Sequence, residues 1–352
     1  ARVVRDGVPE VNGCFTTQGL MVEVLADGQF GYYGTPNMTD KGISEAAKQA
    51  YAQAKKAAQH ATYKFTDAAR PANVGSYQSP FVKEKDTITP GELNKTLLDA
   101  YNQLKVSDKI VSARALLKTI QSLFRFVSSN GSDITQDFLM LEFDLSATAA
   151  DGANQQTRTF GGMRGNCLQM GMEFFDKWEL LAQAQKIGEQ AIELLDADEC
   201  PTGVMDLVIA SDQMMLQIQE SVGHALEVDR MLGDERNYAG WSFVNIDDFG
   251  KLQYGSELMN ITFDPTLSSE FASYGYDDGG LEATREYIIK DGVLLRGLGG
   301  MESQIRSGVP GVANFRASSW NRAPIDRMAN INLEPGNSSF DEIIGALENG
   351  VY

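Results

Sequence analysis

The sequence predicts an α+β protein of two domains, with antiparallel sheets flanked by helices. Three observations support this prediction: hairpin turn signals between β-type runs, long Ala- and Gln-rich segments at helical spacing, and a length of 352 residues. At roughly 150 residues per domain, this length predicts two domains, each large enough for its own core. We place the boundary after Cys200, which gives domains 1–200 and 201–352.

The N-terminal domain is predicted to open with a β-hairpin, because β-type runs flank Asp27-Gly28, a dipeptide typical of tight turns. A helix over residues 43–60 follows, since its apolar residues recur at helical spacing and Thr39 or Asp40 can cap its start. The elements expected after it are helices at 91–104 and 107–121, a hairpin within 123–147 turning at 128–131, a return strand at 155–161 and a helix at 173–195.

Two glycine-rich segments, 161–165 and 297–300, look at first like phosphate-binding loops. Neither has the Gly-Lys-Ser/Thr ending of a P-loop or stands between a predicted strand and a helix. The first is interpreted as a turn between strands.

The second domain is predicted to open with a buried strand at 204–209, followed by a helix at 211–230 that Ser211 or Asp212 caps and Gly233 ends. This helix carries the motif described below. Its apolar stripe consists of Met214, Ile218, Val222 and Ala225.

The charge and the cysteines exclude several classes of function. The net charge of −18 argues against a nucleic-acid backbone as the main partner, because phosphate binding requires clustered Lys and Arg. The three cysteines form no C-x-x-C pair, which favours a reducing compartment over a disulfide framework. No apolar run reaches the length of a membrane span, and no signal-peptide pattern stands at Ala1.

Only two histidines are available for chemistry. His60 lies at the predicted end of a helix, where the helix dipole favours it. His224 follows Glu220 by four residues and precedes Glu227 by three, which places all three along one edge of a regular helix. Such a group can bind a divalent metal or orient a water, and it is equally typical of a solvated helix face.

The segment 219–229 resembles the H-E-x-x-x-H region of the TldD/PmbA family, once called modulators of DNA gyrase and now regarded as metallopeptidases. The likeness continues downstream at 277–280, similar to D-D-E-G, at 288–294, at 324–330, similar to P-x-x-R-x-x-N, and at 334–336 and 350–352. It is looser upstream, at 20–60 and 161–164. The resemblance therefore spans nearly the whole chain.

The resemblance implies a cytoplasmic two-domain subunit that forms a homodimer, or a heterodimer with a sister subunit, around a peptide-sized cavity. In the active branch of the family, two histidines and a cysteine near the C-terminus hold zinc, and the glutamate is the general base. Carried over to this sequence, Glu220 is the base, His224 the second histidine ligand, and Gln219 stands in place of the first. The remaining acids expected near the substrate or behind the ligands are Glu227, Asp229, Asp277 and Asp278.

Ligands five residues apart point in different directions on a regular helix, so positions 219 and 224 require a locally widened turn, which Gly223 makes easier. The sequence also departs from the family's pattern. An amide at Gln219 is a poor zinc ligand, Gly279 replaces the acid of D-D-E-G, and we expect family segments before Ala1 and after Tyr352. Two hypotheses follow: a zinc metallopeptidase subunit impaired at Gln219, in which zinc is retained or absent, or a non-catalytic binding or scaffold subunit.

Overall fold

The computed structural model describes residues 1–162 and 166–352. The strands of the N-terminal half are β1 (Arg2–Arg5), β2 (Val8–Asn12), β3 (Leu20–Ala26), β4 (Gln29–Thr35), β5 (Val74–Gln78), β6 (Ile110–Val127), β7 (Asp133–Asp151), β8 (Asn154–Thr159) and β9 (Cys167–Gln169). Its helices are α1 (Asp40–Ala58), α2 (Pro90–Leu104), α3 (Phe174–Lys177) and α4 (Leu180–Glu193). The predicted first hairpin and the helix after it are confirmed, with Thr39 as the cap of α1.

The large sheet is organised around the long antiparallel hairpin of β6 and β7. Its main strand order is β2-β1-β6-β7-β5. Besides β6, three strands pair with β7 along its length: β5 runs parallel to 133–137, and the two strands outside that order, β9 and β8, run antiparallel to 140–142 and 146–151. Helices α2 and α4 cover one face. There, alternate residues of the two long strands, among them Phe143 of β7, form the core with Leu97 of α2 and Ala184 of α4.

The helix expected at 107–121 is wrong, because most of this segment belongs to β6. Ala113, Ala115 and Leu117 are buried at every second position, while the residues between them are less buried. The Ala and Leu content favours a helix locally, but pairing with β7 along its length and burial against α2 outweigh that preference. The hairpin is therefore longer than expected, although its predicted turn is confirmed by the bond from the Gly131 N–H to the Ser128 carbonyl.

The single helix expected at 173–195 is wrong in one respect, since it is divided into α3 and α4. The break lies at Trp178, whose backbone is extended. Its indole packs edge-on against Phe160 and also against Phe174, with ring centroids 5.4 and 5.3 Å apart. This aromatic packing lies at the point where α3 ends and α4 begins.

The C-terminal half has shorter elements. Its strands are β10 (Asp206–Leu207), β11 (Ile261–Phe263), β12 (Glu286–Lys290), β13 (Val293–Leu294), β14 (Phe315–Arg316), β15 (Ile325–Asp326), β16 (Ile331–Leu333) and β17 (Gly350–Val351). Its helices are α5 (Ser211–Ile218), α6 (Val228–Leu232), α7 (Met301–Ser307) and α8 (Phe340–Gly345). A sheet of order β13-β12-β11-β16 carries a second core around Phe263 and Ile289.

The buried strand expected at 204–209 is wrong. Only β10 forms there, as an exposed two-residue strand parallel to β17, and Val204 is fully exposed. Apolar composition alone indicated burial, whereas burial requires a covering layer.

A buried ion cluster joins the two halves of the chain. The Arg70 guanidinium donates to both carboxylate oxygens of Glu23 on β3 and to Glu302 on α7, and it also contacts the Tyr32 hydroxyl. Burial and the two carboxylates raise the pKa of Tyr32 well above its usual value. The cluster ties the N-terminal hairpin to the helix that packs against the motif segment.

Within the described residues, no helix is both long enough and apolar enough to cross a bilayer.

Candidate functional site

The motif segment is a broken helix instead of the continuous helix expected at 211–230. Helix α5 passes at Gln219–Gly223 into a π-turn, in which the His224 N–H donates to the Gln219 carbonyl five residues earlier. A 3-10 turn over His224–Leu226 follows, Glu227 is extended, and α6 then runs to Gly233, which ends it as expected with φ of 90°. The N-cap of α5 is Ala210, not Ser211 or Asp212.

The π-turn is the widened turn that the spacing of positions 219 and 224 requires. A π-turn adds a residue to the helical repeat and so brings side chains five apart toward one direction. Gly223 is buried against Met328, where a Cβ would lie 2.0 Å from the thioether sulfur. The glycine therefore permits the close approach of Met328.

His224 is held by its own segment. Its Nδ1 lies 3.2 Å from Glu227 Oε2 and 3.0 Å from Arg230 Nη2. The Arg230 Nε–H donates to the same Glu227 oxygen, and its Nη1–H donates to the Ala239 carbonyl at 3.0 Å. Glu227 is buried with a side chain only 1 % exposed, while the His224 side chain is 24 % exposed. The imidazole is thus partly exposed to solvent.

A pair of buried aspartates, Asp229 and Asp326, lies beside this group. Asp326 on β15 accepts hydrogen bonds from the Gly300 N–H, the Ser303 hydroxyl and the Asp229 N–H, which joins α6 to α7. Burial is the largest cause that raises the pKa of both Asp229 and Asp326, and for Asp229 the Asp326 charge adds to it. Asp229 Oδ1 is buried without a hydrogen-bond partner among the described residues.

The other predicted site residues have different surroundings. Gln219 and Glu220 are exposed. Asp277 is buried and accepts from the backbone N–H groups of Gly279, Leu281 and Phe315, while Asp278 accepts from the Ala317 N–H. Burial raises the pKa of Asp277 to about 7. No hydrogen bond within residues 1–162 and 166–352 joins these two aspartates to His224, so the structure gives them a loop-organising position.

The donor set does not fit a zinc centre. A catalytic zinc ion in proteins takes three protein ligands, drawn from imidazole, thiolate and carboxylate groups, and a water. His224 is the one imidazole of the motif, Gln219 offers an amide, and the described part of the chain contains no cluster of three His, Cys, Asp or Glu side chains able to hold a metal ion.

Two residues that matter to the site were missed from the sequence. Arg230 follows Glu227 by three residues, a spacing that indicates an ion pair on a helix. Asp326 lies 97 residues beyond Asp229 and could be paired with it only by the fold. Of the glycine-rich segment, Gly161 and Gly162 have φ of 74° and 70°, typical of turns, and Met163, Arg164 and Gly165 lie outside the described residues.

Sequence profiles of one family match most of the chain. The profile of PmbA/TldA metallopeptidase domain 1 matches residues 2–54, that of the central domain 83–195, and that of the C-terminal domain 202–352. The chain belongs to the PmbA/TldD family. The family resemblance seen in the motifs is thereby confirmed, and so is the mixed fold of helices and antiparallel sheets. The predicted domain boundary after Cys200 stays a prediction.

Relatives within the PmbA/TldD family are named metalloproteases. A metalloprotease of Methanothermobacter thermautotrophicus is 31 % identical over 269 residues, which is 75 % of this chain and 55 % of that protein. Another, of Methanocaldococcus jannaschii, is 26 % identical over 350 residues, or 99 % of this chain and 74 % of that protein. The chain thus spans about half the length of the first of these relatives and about three quarters of the second.

The fold has solved counterparts. TldE from Thermococcus kodakarensis aligns with a TM-score of 0.68 at 13 % identity, over 99 % of this chain and 74 % of that one. At this level of identity the likeness establishes a shared fold and nothing about activity.

Proposed function

We propose that this chain is a TldD-like metallopeptidase subunit whose hydrolysis is impaired because Gln219 occupies a metal-ligand position. One observation supports this most: the widened turn that H-E-x-x-x-H requires is present at Gln219–Gly223, and Glu220 and His224 are the residue types of the motif. A π-turn weakens regular helical hydrogen bonding, so its retention is more readily explained by a site than by packing alone.

The substrate and assembly follow from the family resemblance and are part of the proposal. The substrate is a peptide or unfolded polypeptide held in a cavity between two subunits. The partner is a second copy of this chain or a sister subunit, and the compartment is the cytoplasm. The net charge of −18 disfavours acidic peptides through long-range repulsion.

A second candidate is a non-catalytic subunit that binds peptide and completes the dimer. It is favoured by the mutual satisfaction of His224, Glu227 and Arg230, which form a closed group without a metal. The absence of an acidic side chain at Gly279 also favours it, and a Cβ at this position would lie only 3.2 Å from the Phe315 ring.

Restoring the lost ligand separates the two candidates. Zinc affinity and peptide hydrolysis are measured for the complete gene product and for its Gln219→His variant. The matched control is Gln213→His, which adds the same imidazole at an exposed position of α5. We expect the unaltered protein to hydrolyse poorly, and Gln219→His to gain zinc affinity and hydrolysis that Gln213→His does not gain.

Two outcomes contradict the impaired-peptidase proposal. Efficient zinc-dependent hydrolysis by the unaltered protein shows that Gln219 does not impair it. If Gln219→His gains neither zinc nor hydrolysis beyond the control, the non-catalytic candidate is supported instead.

A further inference from the structure

The segment similar to P-x-x-R-x-x-N, residues 324–330, carries two polar residues with opposite surroundings. The buried Asn330 amide is fully used: Nδ2 donates to the Asp264 carbonyl at 3.2 Å and to the Ser273 hydroxyl at 2.7 Å, and Oδ1 accepts from the Ala272 N–H at 3.2 Å. The Arg327 guanidinium is partly buried, and it makes no hydrogen bond, ion pair or stacking contact with residues 1–162 or 166–352. Asn330 therefore has a structural role that Arg327 does not share.

An unpaired guanidinium at this depth calls for a partner. Arginine stays protonated, and withdrawing its charge from water without a partner costs free energy. The chain has 48 Asp and Glu against 30 Lys and Arg, yet none of the described acids pairs with Arg327. Arg316 shows the usual pattern, since it donates to the Met328 carbonyl at 3.0 Å and lies 5.3 Å from the centroid of the Tyr274 ring. The charge of Arg327 is thus free to bind an external anion.

A second unpartnered polar group lies opposite Arg327. Strands β14 and β15 pair Phe315 with Asp326, and the next residues along the two chains are Asn314 and Arg327, whose N–H donates to the Asn314 carbonyl at 3.1 Å. Directly opposed residues place their side chains on the same face, with Cβ atoms about 5 Å apart. The Asn314 side chain is fully buried, and neither Oδ1 nor Nδ2 has a hydrogen-bond partner among the described residues. A buried amide without partners is costly, so a ligand that satisfied it would be bound favourably.

This pair lies beside the motif segment. Met328 follows Arg327 and packs against Gly223 of the π-turn, while Asp326 precedes it and accepts from the Asp229 N–H at 3.2 Å. Consecutive Cα atoms are about 3.8 Å apart, so the backbone of Arg327 is one residue from each of two contacts with the motif segment. A ligand held by Arg327 is therefore held close to the candidate site.

We propose that Arg327 and Asn314 bind the C-terminal carboxylate of a peptide. The fork of N–H groups on a guanidinium matches a carboxylate. The neighbouring amide offers a donor and an acceptor, which complement the last peptide group before the carboxylate. Because no bond holds the Arg327 side chain, it can move to admit the ligand to the buried amide.

The end of a peptide fits this site better than an acidic side chain does. The carboxylate of an Asp or Glu side chain is not joined to a peptide group through a single carbon, so it does not present both groups in this way. The net charge of −18 also disfavours peptides that carry further negative charges. The choice of a peptide as the ligand rests on the proposed function.

Two probe peptides test the carboxylate. Acetyl-trialanine with a free carboxylate and acetyl-trialanine amide are titrated into the complete gene product without added metal, and affinity is measured by calorimetry. We expect the free acid to bind at least about tenfold more tightly, because a hydrogen bond to a charged group contributes that factor or more. Equal affinities, or no binding of either peptide, overturn the proposal.

A third peptide tests the source of the carboxylate. Acetyl-Ala-Glu-Ala amide carries its one carboxylate on a side chain. We expect it to bind no more tightly than acetyl-trialanine amide. If it binds as tightly as the free acid, the assignment to the C-terminus of the peptide is wrong.

Arg327→Met tests the residue. We expect this variant to lose the preference for the free acid. The matched control is Arg322→Met, which removes the same charge from an exposed side chain that also has no partner among the described residues, and it should keep the preference. A preference retained in Arg327→Met overturns the role of Arg327.

Asn314→Leu separates binding from structure. We expect the affinity for the free acid to fall while the free energy of unfolding does not, because the amide has no hydrogen bond to lose. Lower stability with unchanged affinity would show that the amide is structural, and would overturn its role. If Asn314→Leu does not fold, Arg327→Met still decides the proposal.

Failure of this inference can be told apart from failure of the proposed function. The peptide preference is measured on the unaltered chain without zinc, whereas the proposed function rests on zinc affinity and hydrolysis in Gln219→His. If Gln219→His gains both and the free acid is not preferred, only the carboxylate site is wrong. If the free acid is preferred and Gln219→His gains neither, the site belongs to a non-catalytic subunit that binds peptide.

Discussion

The β6–β7 hairpin and the motif segment 211–233 are stabilised in opposite ways. The hairpin is regular over most of its length, and alternate side chains form an apolar core with α2 and α4. The motif segment passes through four backbone conformations in 23 residues and buries Glu227, Asp229 and Arg230. Apolar packing needs no specific partner atom, whereas each buried charge requires one. The hairpin therefore contributes stability, whereas the motif segment lowers it in order to position polar groups.

The largest expected effect is in the hairpin core. Phe143 is 2 % exposed and packs against the rings of Phe160 and Phe174. We expect Phe143→Ala to lower the free energy of unfolding by about 3–5 kcal/mol, because it leaves a cavity. Urea denaturation measures this. Leu123→Ala, at a strand position 75 % exposed, is the control and should change stability by less than about 0.5 kcal/mol.

In the motif segment, the comparable loss comes from an unpaired charge. Arg230→Met leaves Glu227 buried without its cation, and we expect it to cost about 3 kcal/mol, measured by the same denaturation. The double variant Glu227→Met/Arg230→Met should recover most of that loss, because no uncompensated charge remains. If the double variant is as unstable as the single one, the cost arises from packing and the contrast between the two regions fails.

Next in size is the close approach at the π-turn. Gly223→Ala would place a Cβ 2.0 Å from Met328 Sδ, and we expect it to cost about 1–3 kcal/mol through overpacking. Gly91→Ala is the matched control, because Gly91 lies in the first turn of α2 with open space where the Cβ would be. It should be neutral or slightly stabilising. Equal effects in the two variants would show that Gly223 is not constrained by packing.

The smallest expected effect, taken for one carboxyl over one pH unit, is the slope of stability with pH that arises from Asp229 and Asp326. Their raised pKa values mean that the folded chain keeps protons that the unfolded chain has lost once the pH exceeds the ordinary aspartate value of about 3.9. Stability should therefore fall as pH rises from this value toward the raised ones, by at most about 1.4 kcal/mol per pH unit for each such carboxyl.

Comparing unfolding curves of Asp229→Asn with those of the unaltered chain isolates this slope. The variant should lose less stability across that pH range, whereas Asp108→Asn at an exposed position should not differ. A steeper decline in Asp229→Asn would mean that the buried aspartate is ionised in the folded chain, contrary to the geometry.

Local signals predicted some elements well and others poorly. The Asp27-Gly28 turn and the Thr39 cap were predictable, because turn and cap chemistry acts within a few residues. The helix expected at 107–121 failed because its Ala and Leu residues serve a strand equally well once β7 lies beside them. A widened turn between 219 and 224 was predictable, because ligands at that spacing require one. The extended backbone at Glu227, which breaks the helix, was not predictable.

The sequence by itself determined the family, the acidic charge and the scarcity of imidazoles, because these depend on which residues are present and on motifs of a few positions. It also indicated Gln219 as the altered ligand. Only the tertiary structure decided which atoms face His224, since Glu227 and Arg230 reach its Nδ1 through a broken helix. The pairing of Asp229 with Asp326, 97 residues away, was decided in the same way, because contacts between distant segments follow from packing and not from local sequence.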